Sequence, residues 1–137
     1  MQNDQAPAEI VFPRGLPGFE DQDRFVLIEK EALAPIVILQ STARPELRFI
    51  TVSVWAADPG YQIGITEEDL AILELAKQPH SDGDVVCLAI LSAREGESFT
   101  ANLLAPVVIN PRIKVGVQAV RNDARYSHQS PLGAACL

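Results

Sequence analysis

The stretch from Thr100 to Asn110, TANLLAPVVIN, combines a strong structural demand with little catalytic chemistry. Pro106 cannot donate a backbone hydrogen bond and biases Ala105 toward extended geometry, so a helix begun at Asn102 stops there. Val107, Val108 and Ile109 then read as a short buried strand. Asn102 and Asn110 bracket this run with amides, side chains that satisfy backbone groups where a chain turns at either end of a strand. The local reading is a central strand with amide-pinned corners, and it carries no activity.

Working outward, Pro111 and Arg112 turn the chain into Lys114 to Val120, whose apolar positions are broken by Gly116 and Gln118. A glycine inside a strand marks a bulge or a close approach. The segment from Arg121 to Leu137 is polar and irregular, with Tyr126 and Leu132 as its expected anchors. Upstream, Asp84 to Ser92 reads as a buried strand in which Cys87 is a small core side chain, and Arg94 to Ser98 is a polar hairpin connection. Cys136 falls in the tail, so no disulfide with Cys87 is expected.

The N-terminal half reads as strands joined by turns. Glu9 to Phe12 form a first strand that Pro13 ends, and Gly15 to Glu20 (GLPGFE) make a turn that is rigid at Pro17 and permissive at Gly15 and Gly18. That turn holds Leu16 and Phe19 in a fixed relation as plugs of the core. Arg24 to Glu29 and Ile36 to Ser41 are strands separated by a loop around Ala34 and Pro35, and a turn at Arg44 to Glu46 follows. Leu47 to Trp55 alternates, with Ile50, Val52 and Val54 on one face and Thr51 and Ser53 on the other, as a half-buried strand does. After a turn at Asp58 to Gly60, Thr66 to Lys77 is the one predicted helix. Thr66 caps it with Asp69 three residues on, Glu67 and Glu68 suit the dipole of its first turn, Pro79 stops it, and Leu70 and Leu73 face the core.

Composition bounds the function. With 137 residues and 47% hydrophobic side chains, the chain is one globular domain with a sizeable core. Residues 1–8 are expected to form a flexible N-terminus, 9–132 the domain and 133–137 a C-terminal tail. A formal net charge of −7 argues against nucleic acid as the direct ligand, since the phosphate backbone calls for basic patches. An acidic surface suits a basic partner. Met1 to Ala8 lacks an apolar signal core, and no stretch approaches the roughly 18 apolar residues of a membrane span, so no membrane contact and a cytoplasmic location are expected.

The catalytic motifs are missing: no phosphate-binding GxxxxGK[ST], no GxSxG, no HExxH and no CxxC. His80 and His128 are the only histidines, and neither has a second histidine or a cysteine at metal-ligand spacing. His80 to Asp84 reads as a solvated acidic turn rather than a calcium loop. No enzyme activity, cofactor or metal is expected. Seven or eight short strands and one short helix, without strand–helix alternation, give a mostly β fold, a compact antiparallel barrel or sandwich.

Two ordered blocks carry a resemblance. TANLLAPVVIN followed by Gly116, Gln118, Tyr126 and the pair Pro131 and Leu132, together with GLPGFE, Phe25 and VILQS at Val37 to Ser41, resembles the flagellar assembly factor W family of bacteria from about Glu9 to Leu132. Ser53 to Gly60 and the C-terminal end depart most from that pattern. The resemblance implies a compact β-barrel-like fold. It also implies a protein that binds the carbon storage regulator, a homodimeric RNA-binding repressor of flagellin translation, with flagellin as the competing partner; since nothing in the sequence demands a dimer, a monomer is expected when the protein is free. The expected partner-facing or contact-organising residues are Asn102, Leu103 and Asn110, with Glu67, Glu68 and Asp69 as acidic contacts. Gly15, Pro17, Gly18, Phe19, Pro106 and Gly116 are expected to determine the fold. The rival readings are an acidic interaction domain with a different partner, and a small-ligand-binding barrel.

Overall fold

The structure, a computed structural model, describes residues 8–79, 83–93 and 96–132. The expectations for His80, Ser81, Asp82, Arg94, Glu95 and Cys136 therefore lie outside the described residues. The strands, most of them rich in Val and Ile, are β1 (Glu9–Val11), β2 (Arg24–Glu29), β3 (Val37–Ser41), β4 (Arg48–Ser53), β5 (Val86–Ser92), β6 (Thr100–Ala101), β7 (Val107–Asn110), β8 (Val115–Gln118) and β9 (Ser130–Pro131). The sheet runs β4-β3-β2-β1-β8-β7-β5 and closes on itself where β5 also pairs with β4. Every seam of this seven-membered ring is antiparallel except β1 with β8, which is parallel at Val11 and Val115. Parity requires such an exception, because strand direction cannot alternate all the way round a ring with an odd number of members.

The barrel interior is filled by side chains. Ile10, Phe12, Leu16, Phe25, Leu39, Leu88, Val107 and Ile109 form one buried cluster, with the Phe12 and Phe25 rings edge to face at 5.4 Å. Full burial of each large side chain contributes roughly 1.5–3 kcal/mol. Gly116 is a close approach and not a bulge: its ladder with β7 is unbroken, and a Cβ there would lie 2.7 Å from the Phe12 ring.

A second core lies on the outer face of the same barrel. Val52, Cys87, Ala89, Leu91, Val108 and Val117 point outward and are covered by Tyr61, Ile65, Leu73 and Leu103, with Tyr126 and Leu132 packed against them. Two short helices, α1 (Val54–Ala57) and α2 (Glu67–Ile72), belong to this cover. The strand expected to reach Trp55 thus ends at Ser53, whose hydroxyl accepts from the Trp55 N–H and caps α1. Thr51 is fully buried, not solvent-facing, and its hydroxyl donates to the Val37 carbonyl at 2.7 Å. A strand between two cores buries both of its faces, which alternation alone does not reveal.

The expected helix over Thr66 to Lys77 is also shorter. Thr66 caps it as expected, accepting from the Asp69 N–H at 3.2 Å. It stops at Ile72 because Glu74 is left-handed (φ 56°), while Glu74 and Leu75 donate back to Ala71 and Leu70. This is a Schellman ending with glutamate where glycine is usual. It drives Leu73 fully into the outer core.

Candidate functional site

The amides of the Thr100–Asn110 stretch serve the backbone. The Asn102 side chain accepts from the Ala105 N–H at 2.9 Å and shapes the turn before Pro106. Asn110, 3% exposed, donates to the Leu73 carbonyl at 2.8 Å and accepts from the Arg112 N–H, tying β7 to the end of α2. Leu103 is 3% exposed, and its carbonyl accepts from the Tyr61 hydroxyl at 2.8 Å. Leu103 and Asn110 are therefore buried side chains, while Asn102 is partly exposed.

Sequence reasoning missed a cationic lock above them. Arg121, which follows the strand β8 and precedes the polar tail, has a side chain only 3% exposed. Its guanidinium bonds the Gln62 carbonyl and the Asp123 carboxylate and stacks over the Tyr126 ring at 4.9 Å and the Tyr61 ring at 5.6 Å. Burial opposes the charge on Arg121, but hydrogen bonds to Asp123 and Tyr61 outweigh it and hold its pKa above the ordinary value. The bond from Arg121 in turn lowers the pKa of Asp123. Burial pushes Tyr61 up to about 12. Gly64 leaves room for this lock, since a Cβ there would lie 2.9 Å from the guanidinium. The signal available in the sequence was an arginine two residues before an aspartate at the end of an apolar strand.

The other sequence block forms the opposite wall of a surface groove. Gly15 has φ 63°, and a Cβ on it would lie 2.7 Å from the Glu20 backbone, so no other residue fits. Pro17 and Gly18 (φ 87°) turn the chain between Leu16 and Phe19, whose N–H donates to the Leu16 carbonyl. Leu16 enters the interior core, and the half-buried Phe19 ring packs on Phe49 at 5.7 Å. Arg14, just before this loop, reaches α2, pairing with Asp69 and lying 3.5 Å from Glu68. Asp69 is thereby buried against Arg14, whereas Glu67 and Glu68 stay exposed.

Pro106 is buried, and its carbonyl accepts from Ala119, binding the stretch to the end of β8. Burial raises the pKa of Cys87 to about 12, which suits a core thiol rather than a nucleophile. Among the described residues, no group of three or more His, Cys, Asp or Glu side chains is placed to hold a metal ion. No helix among them is long and apolar enough to cross a membrane.

These features define a small closed β-barrel, filled by its own side chains and covered on one flank. The chain belongs to the FliW protein family, whose model matches residues 1–132. It is 37% identical over 138 residues to the flagellar assembly factor FliW of Bacillus licheniformis, spanning 99% of this chain and 92% of that protein. The Bacillus subtilis flagellar assembly factor FliW is 33% identical, spanning 90% of this chain and 85% of its own length. A crystal structure of the flagellar assembly factor FliW superposes with a TM-score of 0.79 at 31% identity, over 90% of this chain and 84% of that one.

Proposed function

We propose that the chain is a cytoplasmic flagellar assembly factor that binds the carbon storage regulator and relieves its repression of flagellin mRNA, with flagellin as the competing partner. The observation that carries this reading is family membership spanning both sequence blocks and the whole barrel. When flagellin is scarce the factor is free to bind the regulator; when unexported flagellin accumulates it occupies the factor, and repression returns. Exchange of this kind requires the two binding surfaces to overlap or be energetically coupled. The interior is packed with Phe12, Phe25 and Leu39, so a small molecule inside the barrel is not favoured.

Charge supports the same mechanism. A protein of net charge −7 docked beside an RNA-binding surface disfavours RNA by repulsion, and salt weakens that effect. The test is a competition titration with labelled flagellin-leader RNA and the regulator. RNA should be released when the protein is added and recaptured when flagellin follows. If the folded protein leaves the RNA bound at every concentration, the regulator is not its partner.

A further inference from the structure

Three surfaces invite a partner: the outward isoleucines of β2, β3 and β4, the groove beside Pro79 and Pro111, and the groove between the two sequence blocks. The last combines shape, an exposed apolar anchor and charge. Arg14, Pro17, Glu20, Glu68, Asp69 and Val120 line a cavity of about 400 Å³ between the Gly15–Glu20 loop, the first turn of α2 and the end of β8. Val120 follows the buried Ala119 yet is 50% exposed, more than the exposed Leu33 and Phe99 at 40% each. Glu67 and Glu68 stand exposed on the helix turn that forms one wall, the Glu68 side chain being 79% exposed.

Charge selects the occupant. Glu20, Glu68 and Asp69 line the groove and Glu67 stands exposed beside Glu68, while the one cation among the lining residues, Arg14, is already engaged by Asp69 and Glu68. The walls are stiff, because Gly15 and Pro17 fix the loop and Thr66 caps the helix. A rigid acidic cleft with one aliphatic side chain fits a Lys- or Arg-bearing segment that also presents an aliphatic residue. A protein that binds the RNA backbone carries such basic segments by necessity.

We propose that this groove is the docking site for a basic, aliphatic-bearing segment of the RNA-binding regulator, an inference that rests on the partner reading above. Val120 is the apolar anchor, and Glu20 and Glu68 in the groove, with Glu67 at its rim, supply the complementary charge. Glu67→Lys/Glu68→Lys and Val120→Asp are compared with a control pair of equal charge change away from the groove, Glu31→Lys/Glu46→Lys. Each is titrated against the purified regulator after melting curves have established that it is folded. The groove pair should lose about tenfold or more in affinity at low salt and less at high salt, since the lost attraction is screened. Val120→Asp should also weaken binding about tenfold, although added negative charge alone would strengthen it. The control pair should stay within about threefold.

Failure of the unaltered chain to bind the regulator overturns the partner reading and this proposal with it. If the unaltered chain binds and the groove variants match the controls, the groove is wrong and the partner reading stands. Loss of flagellin binding alone, with regulator binding intact, would likewise overturn the assignment.

Discussion

Replacing Gly116 by alanine tests whether the barrel interior is as tightly built as described. In a strand free of neighbours, alanine in place of glycine would stabilise by roughly 0.5–1 kcal/mol, because it restricts the unfolded chain. Here the new Cβ would lie 2.7 and 2.8 Å from two ring carbons of Phe12 and 3.0 Å from the Ile109 side chain. Ordinary carbon contacts are about 3.5–4.0 Å, so the Phe12 ring must withdraw by nearly 1 Å. It has little room to do so, being fully buried and set against Phe25 at 5.4 Å. Overpacking of this kind costs about 1–3 kcal/mol, which reverses the sign of the intrinsic gain. Urea titration should show Gly116→Ala destabilised by roughly 1–2 kcal/mol, with an unchanged m-value. Phe12→Leu should cost at least about 0.5 kcal/mol less in that background than in the unaltered chain, since it vacates the contested space. A Gly116→Ala protein as stable as the original, or additive behaviour of the pair, would refute the reasoning.

Three further outcomes follow from the hydrogen-bond and charge network. Asn110→Ala strands the buried Leu73 carbonyl and the Arg112 N–H; it should lower stability by about 1–3 kcal/mol in chemical denaturation. Arg121→Lys loses the planar fork that meets Asp123, Gln62 and two tyrosine rings; melting should fall by several degrees, and Gly64→Ala should fall with it non-additively. Cys87 and Tyr61 have pKa values near 12 in the fold against ordinary values of 9.0 and 10.0. The folded chain thus holds protons that the unfolded chain releases, and their contribution is complete below about pH 9 and lost as pH rises toward 12. Denaturation midpoints measured from pH 8 to 11 should fall steadily, and in a Cys136→Ser background Cys87 should react with a thiol reagent only on unfolding.

The strand Val107–Asn110 was legible because proline, three β-branched residues and a terminal amide all point one way. So was β2, whose bounds Arg24 to Glu29 match the expectation. The Gly15–Phe19 turn was legible for the same reason, since glycine and proline state their backbone angles outright. What escaped is what depends on distant chain. The early end of α2 rests on Glu74 in a conformation that glutamate does not advertise, held there by the demand to bury Leu73. Thr51 reads as a polar face until the barrel closes around it and the Val37 carbonyl accepts the hydrogen bond of its hydroxyl. Arg121 reads as a tail residue until Tyr61, Gln62 and Tyr126, remote in sequence, assemble about it.

The parallel seam between β1 and β8 governs when the molecule can become whole. Val11 must meet Val115, more than a hundred positions along the chain, while β1 to β4 can zip as successive hairpins far earlier. During synthesis, the edges of β1 and β4 therefore remain open until β8 and β5 emerge. Such long-range pairing slows folding and leaves unpaired strand edges accessible to other chains. Ring closure becomes the late step of assembly, and a chain truncated before Val115 should stay open at β1 and aggregate rather than fold.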